Sequence, residues 1–285
     1  MFTSDQSHEC VPGGRAFQRR SARASLLAVV LLLGYVVNAK GDGEGDTGDA
    51  LDIEGMRVAF DEDFSRLNVS EWGPGTRWIA HTPWSGDFGG ARFAAPRPGF
   101  PFTVADGVLR IEARRDEHGE WRSGLLASVD TKGRGFAQQY GYFEMRARLP
   151  DGPGVWPAFW LIGLDRSQST AEIDALEYYG DRPGAFSSIV HVWHRDGRHY
   201  SQGKRIPAFR DADPSEFHTY GVKIDASQIR IYFDRQLMWK TPTQPAHRQP
   251  MYILLNLALV EEESRNAAAN PSSMFVDYVR AYSFK

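Results

Sequence analysis

The chain has 285 residues, with 33 Lys and Arg against 36 Asp and Glu and a formal net charge of −3 at pH 7. Such a near-neutral, slightly acidic balance excludes the basic footprint of a nucleic-acid or anionic-membrane binder and suits a neutral or mixed polymer as partner. A single cysteine, Cys10, excludes an internal disulfide, so stability has to come from a buried core.

At the N-terminus, Arg15, Arg19, Arg20 and Arg23 precede an apolar run from Leu26 to Val37, closed by Val37-Asn38-Ala39. A basic region, a short apolar core and small residues before the cut read as a secretory signal peptide over 1–39. The run is short for a membrane span of about 20 residues. A retained signal anchor is the rival reading, since Gly34-Tyr35-Val36-Val37 lengthens the run. The expectation is a secreted or periplasmic monomer with no stable membrane association once the leader is removed. Residues 40–56, rich in Gly and Asp, read as a solvated tether. Asp42-Gly43-Glu44-Gly45-Asp46 lacks the remaining spacing of an EF-hand loop.

Residues 57–285 read as one folded body. The loop from Arg77 to Gly90 mixes Trp78, Trp84 and Phe88 with polar residues and glycine, a composition that often shapes subsites. The alternative for Trp78 and Trp84 is cover for a hydrophobic edge. Val108–Arg114, Phe143–Leu149 and Gln228–Gln236 alternate apolar and polar residues with period two, and Asp106-Gly107, Asp151-Gly152 and Asp196-Gly197 punctuate them as turns. No long stretch carries a 3.6-residue period. Many short strands in about 230 residues predict an all-β jelly-roll sandwich of two bent antiparallel sheets with a concave substrate cleft.

Trp156 and Trp160 share one parity, so both can line a cleft and stack on sugar rings, with core packing as the ordinary alternative. In Phe186–His194, His191 and Trp193 share a face opposite Val190 and Val192. His191 is placed to bond a nucleophilic carboxylate or a sugar hydroxyl across the strand pair, or merely to orient a neighbour or be satisfied. Asn256 sits in the apolar run Met251–Leu259 as either a structural bridge or a cleft donor. No pair of histidines has zinc-site spacing backed by a third ligand, which argues against a catalytic metal.

The segment Glu172-Ile173-Asp174-Ala175-Leu176-Glu177 sets three carboxylates in six residues. On a strand Glu172 and Asp174 share a face, but Glu177 has the wrong parity. A β-bulge at Ala175-Leu176 absorbs one residue and brings Glu177 to the same face. The backbone span is then roughly 13 Å. Two glutamates leaning together can close that to the roughly 5–5.5 Å of a retaining glycosidase. Crowded carboxylates raise one another's pKa, which keeps a general acid protonated. A solvated acidic edge strand is the bland alternative.

Glu172-x-Asp174-x-x-Glu177, with Trp156-Pro157-Ala158-Phe159-Trp160 upstream, resembles glycoside hydrolase family 16 in its bulged, laminarinase-like branch. Gly141–Pro150, Phe217–Val222, Leu255–Ala258 and Val276–Arg280 continue the likeness in order, from about Val58 to the C-terminus. The resemblance implies a retaining endo-acting hydrolase of β-linked polysaccharide, with Glu172 as nucleophile, Glu177 as acid/base and Asp174 orienting Glu172. It implies no catalytic cofactor, and a structural calcium held by the Asp277 carboxylate and the backbone at Asp63 and Gly107. The polysaccharide is a β-1,3/1,4-glucan or a bacterial exopolysaccharide such as succinoglycan. The loops from Trp78 to Phe102 look closer to depolymerases of acidic exopolysaccharide, with Arg77, Arg92 and Arg97 placed to meet substituent charges. A transglycosylase and a non-catalytic glycan-binding module are the rival functions.

Overall fold

The computed structural model describes residues 51–261 and 263–285; the leader and the first part of the tether lie outside them. Among the described residues the strands form two sheets. The nine-stranded sheet runs His199–Ile206, Phe186–His194, Ser169–Glu177, Val155–Gly163, Met251–Leu259, Leu125–Ala127, Trp78–Ile79 and Val69–Ser70, with Ala137–Gln138 beside Met251–Leu259. The ten-stranded sheet is centred on Gly141–Arg148 and Ser272–Phe284, flanked by His218–Ile224 and Val108–Arg115. The two sheets form the expected jelly-roll sandwich. They are antiparallel except for two short parallel pairs, Val69–Ser70 with Trp78–Ile79 and Arg92–Phe93 with Trp121–Ser123. Both exceptions lie at the ends of the sheets, so the central antiparallel strands that carry the carboxylates are unaffected. Among the described residues no helix is long and apolar enough to cross a membrane.

Period-two alternation divides each strand between two environments. From the nine-stranded sheet, Phe159, Leu161, Ile173, Val190, Ile253, Leu255 and Leu257 face the inter-sheet core. There they meet Phe143, Met145, Val222, Ile231 and Val279 of the other sheet. The alternate residues Ala158, Trp160, Ile162, Tyr252 and Leu254 form a second apolar layer on the outer face of the nine-stranded sheet. A largely apolar floor thus lies beneath the carboxylates.

The ten-stranded sheet has its own outer cluster of Tyr142, Tyr232 and Tyr282, against which Leu51, Ile53 and Met56 pack. The folded body therefore begins ahead of residue 57, because apolar side chains at the end of the expected tether cover this tyrosine patch. Asp277 is skipped where Ser272–Phe284 shifts register against Gly141–Arg148, and its carboxylate pairs with Arg146. Gly107 does lie beside the Asp63 carbonyl, since a Cβ there would sit 3.6 Å from it. The one side-chain carboxylate among the three expected calcium ligands, Asp277, is paired with the Arg146 guanidinium. Among the described residues, no group of three or more His, Cys, Asp or Glu side chains could hold a metal.

Glu144 is buried on this outer face. It accepts bonds from Tyr142 Oη at 2.6 Å, Tyr278 Oη at 2.9 Å and both Nε and Nη2 of Arg235. Removing the cation strands a buried charge, whereas a half-exposed arginine makes the pair weaker than a fully buried one. Arg235→Met should therefore destabilise the protein by about 2–3 kcal/mol in urea unfolding, with much of the loss recovered in Arg235→Met/Glu144→Gln.

Candidate active site

The carboxylate strand, Ser169–Glu177, carries the expected bulge. Against Val155–Gly163 the register runs Ile162–Glu172, Leu161–Ile173 and Trp160–Asp174, then jumps to Phe159–Leu176 and Ala158–Glu177. On the other side it jumps from Asp174–Ile189 to Glu177–Ser187. Ala175 and Leu176, adjacent in sequence, both enter the inter-sheet core. That double insertion restores Glu177 to the face of Glu172 and Asp174.

Each carboxylate has its own donors. Trp193 Nε1 donates to Glu172 Oε2 at 2.6 Å. Trp156 Nε1 and Tyr179 Oη donate to Glu177 Oε1 at 3.1 and 3.0 Å. His191 Nε2 lies 3.4 Å from Asp174 Oδ2. Burial is the largest influence on all three acids. It pushes Glu172 up to about 7, opposed by the Trp193 bond and Arg166 and reinforced by Glu177. Burial, then the charges of Glu172 and Glu177, lift Asp174 well above the usual carboxylate range. Burial also raises Glu177, against the bonds from Tyr179 and Trp156. The three titrate as one set, so the protons belong to the group before they belong to any member.

Around them the aromatic residues divide. Trp156 is half-buried at Glu177, while Trp160, 5% exposed, lies deeper and donates to Asn256 Oδ1 at 2.9 Å. Trp84 is 37% exposed, meets Trp160 edge-on with ring centroids 6.1 Å apart, and has the Arg166 guanidinium 4.3 Å from its ring centre. Phe88 fills the angle between Trp156 and Trp160. The loop comes this close because Gly89 and Gly90 have no side chains. Gly89 adopts φ +71, and a Cβ there would meet the Leu259 carbonyl at 2.5 Å.

Three expectations are corrected. Trp78 is fully buried in the inter-sheet core, bonded to Glu62 and edge-on to Phe60. Its neighbour Ile79 takes the outward parity. Asn256 is fully buried beneath Trp160, a structural bridge rather than a cleft donor. His191 faces Asp174, and Trp193 is the residue that bonds Glu172. Arg77 is also taken, by Glu62 and the Phe60 ring.

The sequence assigned no role to Tyr179, Arg166 or His199, and His199 looked like a residue beside a turn. Tyr179 stands two residues after Glu177, so simple alternation would have placed it alongside. His199 is the direct cross-strand partner of Trp193, which the intervening Asp196-Gly197 turn signals. Arg166 lies in the hairpin leading into the carboxylate strand, and no spacing rule singles it out.

Residues 104–280 match Glycosyl hydrolases family 16. The chain is 33% identical over 257 residues, 82% of its length, to the endo-1,3-1,4-beta-glycanase EglC of Rhizobium meliloti strain 1021, covering 53% of that protein. To ExsH of the same strain, also an endo-1,3-1,4-beta-glycanase, it is 37% identical over 193 residues, covering 64% of this chain and 40% of that one. The chain therefore spans about half the length of these curated relatives or less. Among solved structures, SCLam, a non-specific endo-beta-1,3(4)-glucanase from family GH16, superimposes with a TM-score of 0.69 at 26% identity, covering 83% of this chain and 94% of that one. The chain belongs to glycosyl hydrolase family 16.

The raised pKa of Glu172 has a consequence for stability. Between its ordinary value of 4.5 and about 7, the folded protein holds a proton that the unfolded chain has released. That contribution is complete below the ordinary value and is lost as pH rises through the folded one. Glu172→Gln removes the loss while its amide oxygen still accepts from Trp193. Calorimetry should find the melting temperature of the variant, relative to wild type, climbing by about 2–4 °C or more from pH 5 to pH 8.

Proposed function

We propose that this chain is an exported, retaining, endo-acting glycosidase that cleaves β-linked polysaccharide of the 1,3/1,4-glucan kind. The observation carrying this reading is the bulged strand with Glu172, Asp174 and Glu177 on one face of the apolar layer. An acidic edge strand would solvate its carboxylates, whereas these are withdrawn from water and supplied with indole and phenol donors. A glycan-binding module would gain nothing from that arrangement. The names of EglC, ExsH and SCLam support the linkage class. The basic and apolar leader supports export.

The chemistry follows a double displacement. Glu172 attacks the anomeric carbon as the carboxylic acid of Glu177 donates its proton to the glycosidic oxygen. The C1–O bond to the leaving chain breaks and an ester to Glu172 forms. Glu177, now a carboxylate, takes a proton from water as that water attacks C1, and the C1–O bond of the ester breaks with its electron pair leaving on Glu172 as the free carboxylate. The Trp193 bond and the Arg166 charge oppose the burial of Glu172, and the Trp156 and Tyr179 bonds oppose that of Glu177; the first step needs the shared proton of this set on Glu177. Asp174, raised well above the usual range by burial and by the charges of Glu172 and Glu177, stands between the two glutamates in the strand. Trp156, Trp84 and Phe88 offer ring faces and edges to successive sugars.

Release of reducing ends from laminarin, lichenan, agarose and succinoglycan identifies the glycan, with laminarin or lichenan expected. Glu172→Ala and Glu177→Ala should each lose about a thousandfold or more in kcat with folding intact. Azide then separates the roles: with Glu172→Ala it displaces the leaving group directly and gives the inverted glycosyl azide. With Glu177→Ala it attacks the ester and gives the retained product. Full activity in either variant would end the assignment.

A further inference from the structure

A histidine that touches neither substrate nor carboxylate connects to two of the three acids. His199 begins the edge strand His199–Ile206 and is solvent-exposed. Its Nε2 lies 2.9 Å from His191 Nδ1, and the other ring nitrogen of His191 faces Asp174 Oδ2 at 3.4 Å. Its ring also lies flat on Trp193, with centroids 3.5 Å apart and planes within 2°, and Trp193 donates to Glu172. We propose that His199 is a positioning residue of the active site, fixing the tautomer of His191 toward Asp174 and the ring plane of Trp193 toward Glu172.

Two neutral imidazoles that share one N···N contact have a single ring hydrogen between them. If His199 Nε2 carries it, His191 must hold its own hydrogen on Nε2 and donate toward Asp174. If His191 Nδ1 carries it, His191 Nε2 is bare and Asp174 must be the donor. The state of His199 therefore selects whether Asp174 spends its proton on His191 or keeps it for Glu172 and Glu177. Neutrality is favoured for both rings: burial, with His199 and His247 nearby, pushes His191 down to about 4, and burial lowers His199 as well. The groups acting on this array are Glu172, Asp174, Glu177, His247, whose Nε2 meets the Glu172 carbonyl at 3.1 Å, and Arg166. The second link is mechanical. Trp193 is 36% exposed on an outer strand, and the His199 face restrains the rotation of its indole.

This inference rests on the retaining-glycosidase reading for its kinetic consequences, but its structural core does not. Two variants separate the links: His199→Phe keeps a flat ring on Trp193 and removes the nitrogen contact, and His199→Gln keeps a polar partner for His191 and removes the ring. Long-range 15N–1H correlation on the whole protein, with His191 assigned by loss of its signals in His191→Gln, reads the tautomer directly. A single His191 tautomer is expected in wild type and His199→Gln, and a mixture in His199→Phe. In parallel, His199→Phe should shift a limb of the kcat/KM profile by about half a pH unit or more, and His199→Gln should leave it in place. His199→Gln should instead lower kcat about tenfold with KM little changed. Unchanged His191 signals in His199→Phe would overturn the tautomer link even if no glycan is cleaved. A wild-type kcat in His199→Gln would overturn the restraint on Trp193. Should wild type cleave none of the glycans while the His191 signals behave as expected, the glycosidase reading fails and the positioning role stands.

Discussion

One extra residue in one strand governs the site. Ala175 and Leu176 both point into the inter-sheet core, and the depth of that core makes the bulge stable: two consecutive apolar side chains find room between the sheets, so none has to face water. Straightening the strand would bury Glu177 among aliphatic residues and turn its neighbours outward, a change that both packing and desolvation oppose. Core packing thus enforces the alignment of the carboxylates, and the catalytic face inherits its geometry from the opposite face of the same strand.

The arrangement has a thermodynamic cost. Three acids above an apolar layer are raised by burial, and Glu172 and Asp174 are raised further by their acidic neighbours. At the two glutamates neutral donors rather than cations provide most of the compensation: two indoles and a phenol. A full ion pair would hold a carboxylate ionised, whereas neutral donors stabilise its charge while letting it take up a proton. A group that alternates between acid and base within one turnover needs that intermediate stabilisation. The ten-stranded sheet illustrates the contrast, since Glu144 there is clamped bidentately by Arg235 and has a structural part only.

Much of this was legible in the residues. Alternation located the sandwich strands, and the parity conflict at Glu177 pointed to the bulge that the register shows. What sequence periodicity handles poorly is choice among faces for short elements. Trp78 belongs to a two-residue strand, too short for alternation to say which of Trp78 and Ile79 faces inward. Asn256 had the correct face and the wrong depth, because Trp160 folds over it and takes its oxygen. The partner of Asp277 was hidden because a register shift brings Arg146 to its carboxylate. Contacts between strand neighbours distant in sequence, such as Trp193 with Glu172, depend on register, which turns specify only locally.

The indoles that donate to Glu172 and Glu177 come from opposite sides of the carboxylate strand. Trp193 lies on Phe186–His194 and draws Glu172 to one side; Trp156 lies on Val155–Gly163 and draws Glu177 to the other. The separation of the two acids therefore has a component across the sheet as well as along it. A sugar ring seated between them presents its anomeric carbon to one and its glycosidic oxygen to the other only if both lateral displacements persist. Sheet order, with the carboxylate strand between the two indole-bearing strands, thus sets the lateral placement of Glu172 and Glu177 as the bulge sets their shared face, and the proposed double displacement depends on both.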